Sequence, residues 1–493
     1  MSQNVAICLF VKDEFSDIAG WIAWHAALGV KTFFIYDDHS TDGTWDILQA
    51  AAKCYDLRLR RTDPFKVPHF ADRQRDAYMQ TAQEAKGEFD WLGFLDGDEY
   101  LYLRHFDKVT DFLEHFSHAD AIGFSWRIYG SSGRVVRPRI SIIEAFTHHS
   151  TKDFSDNAHI KSFIRPHKMG PKWIDPHCFD IPQENYVAPS GKFLKIFGPR
   201  QEVEWSDGFV MHFICRSMEH YVQRVKRRLD TDIADSTDPW HYYDRNDLYE
   251  TEPLRLLGKM REMLAPIQGE ALKMAIQKLK DLPITPDSKL YSKKASEHKV
   301  TLFKIITHTK TELYYAPQLS QAVHCTPEIA EKNHFTPIFG MIDSQTKPLL
   351  MLFVEEDPSC SLLTIPQDTR STAKLLYRII PQKDGNIGLA NPRTKQFICF
   401  LPVDEAGIGR LEANRDQAHD WEKASLKIAP DAIAPFTLEA LPFNVTDKIS
   451  AHAVLNWIKT ASALPHEETF LRVFYCLSPH VQQEILNYVP GLL

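Results

Sequence analysis

Asp96-Gly97-Asp98-Glu99 brings two carboxylates to within one residue of each other, directly after the apolar run Trp91-Leu92-Gly93-Phe94-Leu95. Carboxylate oxygen suits a hard divalent cation, and Mg²⁺ or Mn²⁺ combines a few such ligands with water and substrate phosphates. The chemistry this spacing points to is a metal–diphosphate site. An acidic surface turn gives the same four letters, so the pattern gains meaning from its setting. Two more acidic clusters share that setting: Lys12-Asp13-Glu14 after the run Val5–Val11, and Asp37-Asp38 after Thr32-Phe33-Phe34-Ile35-Tyr36. Helix capping explains Asp42 and is open to Asp13, but it explains Asp37 and Asp96 poorly.

The elements that position these clusters alternate. Val5–Val11 reads as a parallel strand covered on both faces. Ile18, Trp21, Ile22, His25 and Leu28 recur at helical spacing, and Gly29 stops that helix. Strands then follow at 32–36, 57–60, 91–95 and 121–126, with helices at 44–53 and 71–86. This alternation predicts an α/β domain with a mostly parallel, Rossmann-like sheet. Ligands of such sheets bind beyond the carboxyl ends of the strands, where all three acidic clusters fall.

The whole chain sets outer bounds. Its 493 residues imply about two to four domains. A hydrophobic content of 44% and a charged content of 25% belong to a globular protein. A net charge of −8 argues against nucleic acid as a partner. The scattered cysteines form no CxxC pair, which fits a reducing compartment and no disulfide framework. No basic-then-apolar leader and no apolar run of bilayer length is visible. These features predict a soluble, cytoplasmic protein without a transmembrane segment, and they leave peripheral membrane contact open.

Ordered motifs carry a family resemblance. Phe10-Val11-Lys12-Asp13-Glu14, Trp21-Ile22-Ala23-Trp24-His25, and Ile35-Tyr36-Asp37-Asp38-His39-Ser40-Thr41-Asp42-Gly43-Thr44 come first. Phe94-Leu95-Asp96-Gly97-Asp98-Glu99-Tyr100, the segment Ile122 to Gly133, and Lys161-Ser162-Phe163-Ile164-Arg165-Pro166 follow. Together they resemble glycosyltransferases of the GT-A fold, of family 2 and its relative family 92, over about residues 1–235. The sequence departs from that pattern at Asp13, where many relatives have Asn, and at Gly20, where many have an acidic residue.

The resemblance implies a nucleoside-diphosphate sugar as donor, UDP-linked, and a glycan or related hydroxyl as acceptor. Asp37 would accept from a pyrimidine N–H, and Glu14 would lie near ribose or base. Arg73 would reach the diphosphate; a solvated helix position is its other reading. Asp98 would bind Mn²⁺ or Mg²⁺ directly, with Asp96 helping through ribose or water. His212 would be a third metal ligand, and His177 competes for that role or faces the acceptor. Arg216 is the one basic residue of the Ser217–Arg228 region and its approach expected to neutralise phosphate. Transfer would proceed with inversion. Asp153, Asp156 and Asp175 are the carboxylates available as general base, each also readable as a loop residue.

The expected domains are residues 1–239 (GT-A), 240–299 (helices and linker), 300–445 (all-β) and 446–493 (C-terminal helices). Pro253, Pro266 and Pro283 are expected to break the helical stretch. In the all-β part, three units of about forty residues, each a polar turn, a strand and a proline, suit a β-trefoil. Tyr314, Tyr315 and Trp421 are expected in its core. Two alternatives to sugar transfer remain. A nucleotidyltransferase would carry a Gly-rich basic loop after the first strand, whereas Lys12-Asp13-Glu14-Phe15-Ser16 has no glycine. The other alternative is a glycan-binding protein without catalysis.

Overall fold

The computed structural model describes residues 3–489, apart from 139, 196–197, 230–239, 286–297, 320, 356, 358–362, 364, 367, 369–374, 442, 444 and 446–448. The chain divides into two compact units, 1–267 and 268–493. The helical stretch expected at 240–299 is thereby shared between them.

The first unit is built on β1 (Val5–Val11), β2 (Thr32–Asp37), β3 (Asp56–Arg61), β4 (Trp91–Asp96), β5 (Glu99–Leu103), β6 (Ala121–Ile128), β7 (His148–His149), β8 (Ile160–Ile164), β9 (Tyr186–Val187), β10 (Gly208–His212) and β11 (Leu248–Tyr249). The main sheet runs β3-β2-β1-β4-β8-β6-β10-β5, with β9 beside β6. From β3 to β4 every pairing is parallel. β8 then lies antiparallel between β4 and β6. Gly93 allows this insertion: a Cβ there would stand 2.4 Å from the Phe163 ring. β5 had no counterpart among the expected strands. All five of its residues are buried, so it shows no alternation, and only Gly97-Asp98 separates it from β4.

Both faces of the sheet are covered. Val5, Ile7, Leu9 and Val11 pack with α1 (Ile18–Ala27) and α2 (Thr44–Ala51), while Ala6, Cys8 and Phe10 pack with α3 (Phe70–Glu84). α1 braces the acidic turn. Trp21 Nε1 donates to the carbonyls of Asp96 (3.0 Å) and Glu99 (2.8 Å), and Trp24 Nε1 donates to that of Leu101 (2.7 Å).

His25, on the same helix, accepts the Leu101 N–H at 3.2 Å. Burial lowers its pKa to about 3, against an opposing hydrogen bond to the Trp21 carbonyl. The unfolded chain takes up a proton near the ordinary value of 6.5, and the fold does not. Stability is therefore full above that pH and is lost as pH falls through it. Between pH 6.5 and 5 this single group accounts for about 2 kcal/mol, at roughly 1.4 kcal/mol per unit. His25→Gln is expected to remove that part of the acid sensitivity, measured by denaturant titration at pH 7 and 5. Equal sensitivity in both proteins contradicts it.

After α4 (Val109–Leu113), α5 (Ile142–Ala145), α6 (Met218–Leu229) and α7 (Trp240–Tyr243) comes α8 (Leu257–Asp281), which contains Pro266 without a break. The expected interruption is thus corrected. One lost N–H bond and a ring clash cost about 3 kcal/mol, and the buried face of Met260, Ile267, Leu272, Ile276 and Leu279 outweighs that.

The second unit is an antiparallel barrel. β12 (Val300–Thr307), β15 (Thr336–Asp343), β16 (Leu349–Val354), β17 (Leu375–Pro381), β18 (Ile387–Ala390) and β21 (Lys423–Ile428) pair in a closed ring. β13 (Glu312–Ala316) with β14 (Gln321–Cys325), and β19 (Phe397–Phe400) with β20 (Gly409–Arg415), form two hairpins. A trefoil's third hairpin would fall between β16 and β17, where most residues lie outside those described. Tyr314 and Tyr315 are buried as expected, but Trp421 is 46% exposed and not core. Beyond the short α9 (Pro327–Lys332), the C-terminal part folds as α10 (Ala451–Thr460), α11 (Glu467–Cys476) and α12 (Pro479–Tyr488). α11 and α12 are separated at Ser478-Pro479, where Pro sits in the first turn of a new helix.

Candidate active site

The loops after β1, β2 and β4 converge as the strand order requires. Asp13 sits in the left-handed region (φ 51°), which Asp tolerates. It ties two loops together: its N–H donates to Ser40 Oγ (2.8 Å) and its Oδ1 accepts from the Thr41 N–H (2.8 Å). Glu14 packs against Gly97 of the acidic turn. Asp42 accepts from the N–H of Thr44, the first residue of α2, but Gly43 holds the N-cap position and no side chain caps it, so the expected cap at Asp42 is corrected.

Asp37 is fully buried at the end of β2. Its Oδ2 accepts from Arg61 Nε (2.8 Å) and from the Ser40 N–H (3.3 Å). Its Oδ1 is buried without a hydrogen-bond partner. A buried carboxylate oxygen left unsatisfied carries a desolvation cost that an added donor relieves. Arg61, not singled out in the sequence, lies over the Trp45 ring at 5.2 Å and holds the carboxylate in place.

At the turn, Asp98 Oδ2 lies 2.7 Å from Arg224 Nη1 and 3.6 Å from His212 Nε2. Burial alone would raise the Asp98 pKa, but Arg224, His212 and Arg216 together hold it well below the carboxylate range. Burial lowers the pKa of His212 despite Asp98 beside it. The pair is thus an ionised carboxylate and a neutral imidazole, the protonation states a metal requires. Among the described residues no three His, Cys, Asp or Glu side chains are grouped so as to hold a metal ion by themselves. An ion held by Asp98 and His212 would complete its shell with phosphate oxygens and water, a donor set that fits Mg²⁺ or Mn²⁺.

Asp96 takes a different role from the one expected. Its Oδ2 is 2.7 Å from Lys161 Nζ, and Lys161 also reaches Glu99 Oε2 at 3.2 Å. Lys161 is fully buried; burial lowers its pKa, but Asp96 and Glu99 outweigh this and raise it, so it stays cationic. Asp96 is thus the partner of an internal cation, at the same distance at which Asp98 meets Arg224. The sequence held a signal for this: Lys161 stands within the strand Ile160–Ile164, all of it buried.

Two arginines also differ from expectation. Arg73 forms a two-pronged contact with Asp38, Nε to Oδ1 at 2.6 Å and Nη2 to Oδ2 at 2.9 Å. Its Nη1 donates to the carbonyls of Val67 and Pro68. It fastens the loop before α3 and is not presented to a diphosphate. Arg216 Nη1 donates to Glu14 (2.6 Å) and Asp17 (2.8 Å), so its charge is matched by carboxylates. Besides Lys161, the acidic turn meets Arg224, whose place on α6 reads as an ordinary solvated helix face.

None of the three carboxylates named as general base is disposed for it. Asp153 is exposed on a loop. Asp156 is paired with Arg200 (2.6 Å) and Tyr243 (2.8 Å). Asp175 Oδ1 accepts the N–H groups of His177 (2.7 Å) and Cys178 (2.9 Å). His177 lies 5.2 Å, ring to ring, from Trp126, which in turn lies 4.1 Å from His212. It therefore flanks the turn without reaching Asp98.

The α/β sheet, with carboxylates gathered at its strand ends and continued by an antiparallel extension, has the Rossmann-like architecture expected from the sequence. Residues 3–225 match the family described as glycosyltransferase family 92. Among relatives, a family 92 protein of Oryza sativa subsp. japonica is 25% identical over 48% of this chain and 38% of its own length. One of Ricinus communis is 34% identical over 47% of this chain and 38% of its own. The chain thus spans about two-fifths of the length of these curated relatives. Among solved structures, Staphylococcus aureus TarS 1-349 aligns over 57% of this chain and 75% of its own, at 11% identity and a TM-score of 0.25.

Proposed function

We propose that the chain transfers a sugar, with inversion, from a UDP-sugar to a hydroxyl of a glycan or related acceptor, aided by Mn²⁺ or Mg²⁺. The observation that carries this reading is the unsatisfied Oδ1 of Asp37, buried beside the same strand ends that hold Asp98 and His212. An acceptor-only oxygen suits the N–H of a uracil ring, and it meets no donor in cytosine at that position. Asp98 and His212 would hold the ion, which when bound supplies positive charge to the departing diphosphate. Arg224 adds a second positive charge at the same turn. The match to family 92 supports sugar transfer as the reaction.

The test is a thermal-shift panel of UDP, CDP and GDP with and without Mn²⁺. A ligand that binds the fold raises Tm by mass action. UDP with Mn²⁺ is expected to give the largest shift. No metal-dependent response to any nucleotide favours a non-catalytic glycan-binding protein. Asp37→Asn is expected to weaken UDP about 10- to 100-fold, because a charge-assisted hydrogen bond of about 1.5–3 kcal/mol becomes a donor–donor clash. Calorimetric titration of UDP reads it, and an unchanged affinity removes Asp37 from the base pocket.

A further inference from the structure

We propose that His177 is the general base of the transfer, its Nε2 taking the proton of the attacking hydroxyl; this rests on the sugar-transfer reading above. The three carboxylates of the region are excluded by their partners or their exposure. The neighbouring imidazole is excluded too: His159 Nδ1 faces the Asp156 carbonyl at 3.1 Å, and Arg200 Nε points at its Nε2 from 3.4 Å.

His177 is held from three sides. Asp175 accepts its N–H, Ser162 Oγ donates to its carbonyl, and its Nδ1 lies 2.9 Å from the carbonyl oxygen of Ile160. That oxygen can only accept, so the ring proton sits on Nδ1 and the lone pair on Nε2. Among the described residues no hydrogen bond engages Nε2. Burial, and then the Lys161 ammonium, lower its pKa to about 4, which keeps the ring neutral at physiological pH. The Trp126 indole stands between His177 and His212, touching both rings. Proton acceptor and ion-holding pair thus flank one aromatic side chain.

The step balances without another reactant. The acceptor O–H proton moves to Nε2, and its oxygen lone pair forms the new bond to the anomeric carbon. The anomeric bond to the diphosphate breaks, and its electron pair leaves with UDP. The imidazolium returns its proton to solvent.

The test measures UDP release from a panel of UDP-sugars with Mn²⁺, to whichever hydroxyl accepts, water included. The UDP-induced Tm shift serves as the check on the donor pocket. His177→Ala is expected to keep the shift and lose about 10²- to 10⁴-fold in turnover, the usual contribution of a general base. Added imidazole is expected to restore part of it. Wild-type turnover in the variant, or a loss that imidazole leaves unchanged, overturns the assignment. A wild type that binds UDP and releases none from any donor overturns it as well. No UDP shift in either protein sinks the donor reading itself.

Discussion

Asp98→Ala is expected to abolish the Mn²⁺-dependent part of the UDP-induced Tm shift and to lower sugar transfer by about 10²–10³-fold, the usual loss when a preorganised electrostatic group is removed. The variant leaves His212 alone on one side of the turn and Arg224 without the carboxylate it meets at 2.7 Å. Two consequences separate a metal role from a structural one. First, Asp98→Asn keeps the shape that receives Arg224 Nη1, and its melting temperature should stay close to wild type while the Mn²⁺ response is lost. Second, removing one negative charge between Arg224 and Arg216 makes the pocket more positive. UDP should then bind the alanine variant without metal at least as well as it binds wild type without metal. A Mn²⁺-dependent shift of wild-type size in Asp98→Ala removes Asp98 from the ion site. A metal-free loss of UDP binding in both variants assigns it a purely structural role.

What the sequence discloses follows from what side chains can signal locally. β1, β2 and β4 are readable because they are covered on both faces and appear as unbroken apolar runs. β5 has the same burial, yet it follows β4 after a two-residue turn, and nothing local marks it as a separate strand that returns beside β10. Asp37, Asp98 and His212 are legible because each sits at the end of such a run, where a polar group needs a reason. The basic residues are not legible in the same way. Arg216 and Arg73 look like phosphate ligands and Arg224 like a solvated helix residue, yet the first two are matched to Glu14, Asp17 and Asp38, and the third reaches Asp98. A long cationic side chain reaches several ångströms in any direction, so tertiary packing chooses its partner. Pro266 teaches the same lesson for the backbone, where a buried helical face overrides a local breaker.

Lys161→Met is expected to destabilise the first unit by about 3 kcal/mol, toward the lower end of the cost of breaking a buried ion pair because Asp96 is a third open to water. The physical chain begins at Gly93, whose missing Cβ lets Phe163 and the rest of β8 lie against β4. That register carries Lys161 to Asp96 and Glu99, with no solvent at the ammonium. Methionine fills a similar volume and keeps the apolar stem, so the loss reports charge and not a cavity. With the ammonium gone, burial and the nearby Asp96 and Asp98 disfavour ionised Glu99, whose pKa is already pushed up to about 8. Among the described residues, the Asp96 carboxylate keeps only the long contacts from Gln74 (3.5 Å) and Tyr78 (3.4 Å). A double-mutant cycle isolates the pair: Lys161→Met with Asp96→Asn should recover more than about 1 kcal/mol relative to the sum of the single losses. Denaturant titration followed by tryptophan fluorescence reads it, since Trp91 and Trp126 are both buried in this unit. Strictly additive losses would mean that Lys161 stabilises through its stem alone. UDP binding adds an independent reading. An unmatched Asp96 repels the diphosphate, so Lys161→Met should weaken UDP and the double variant should restore it.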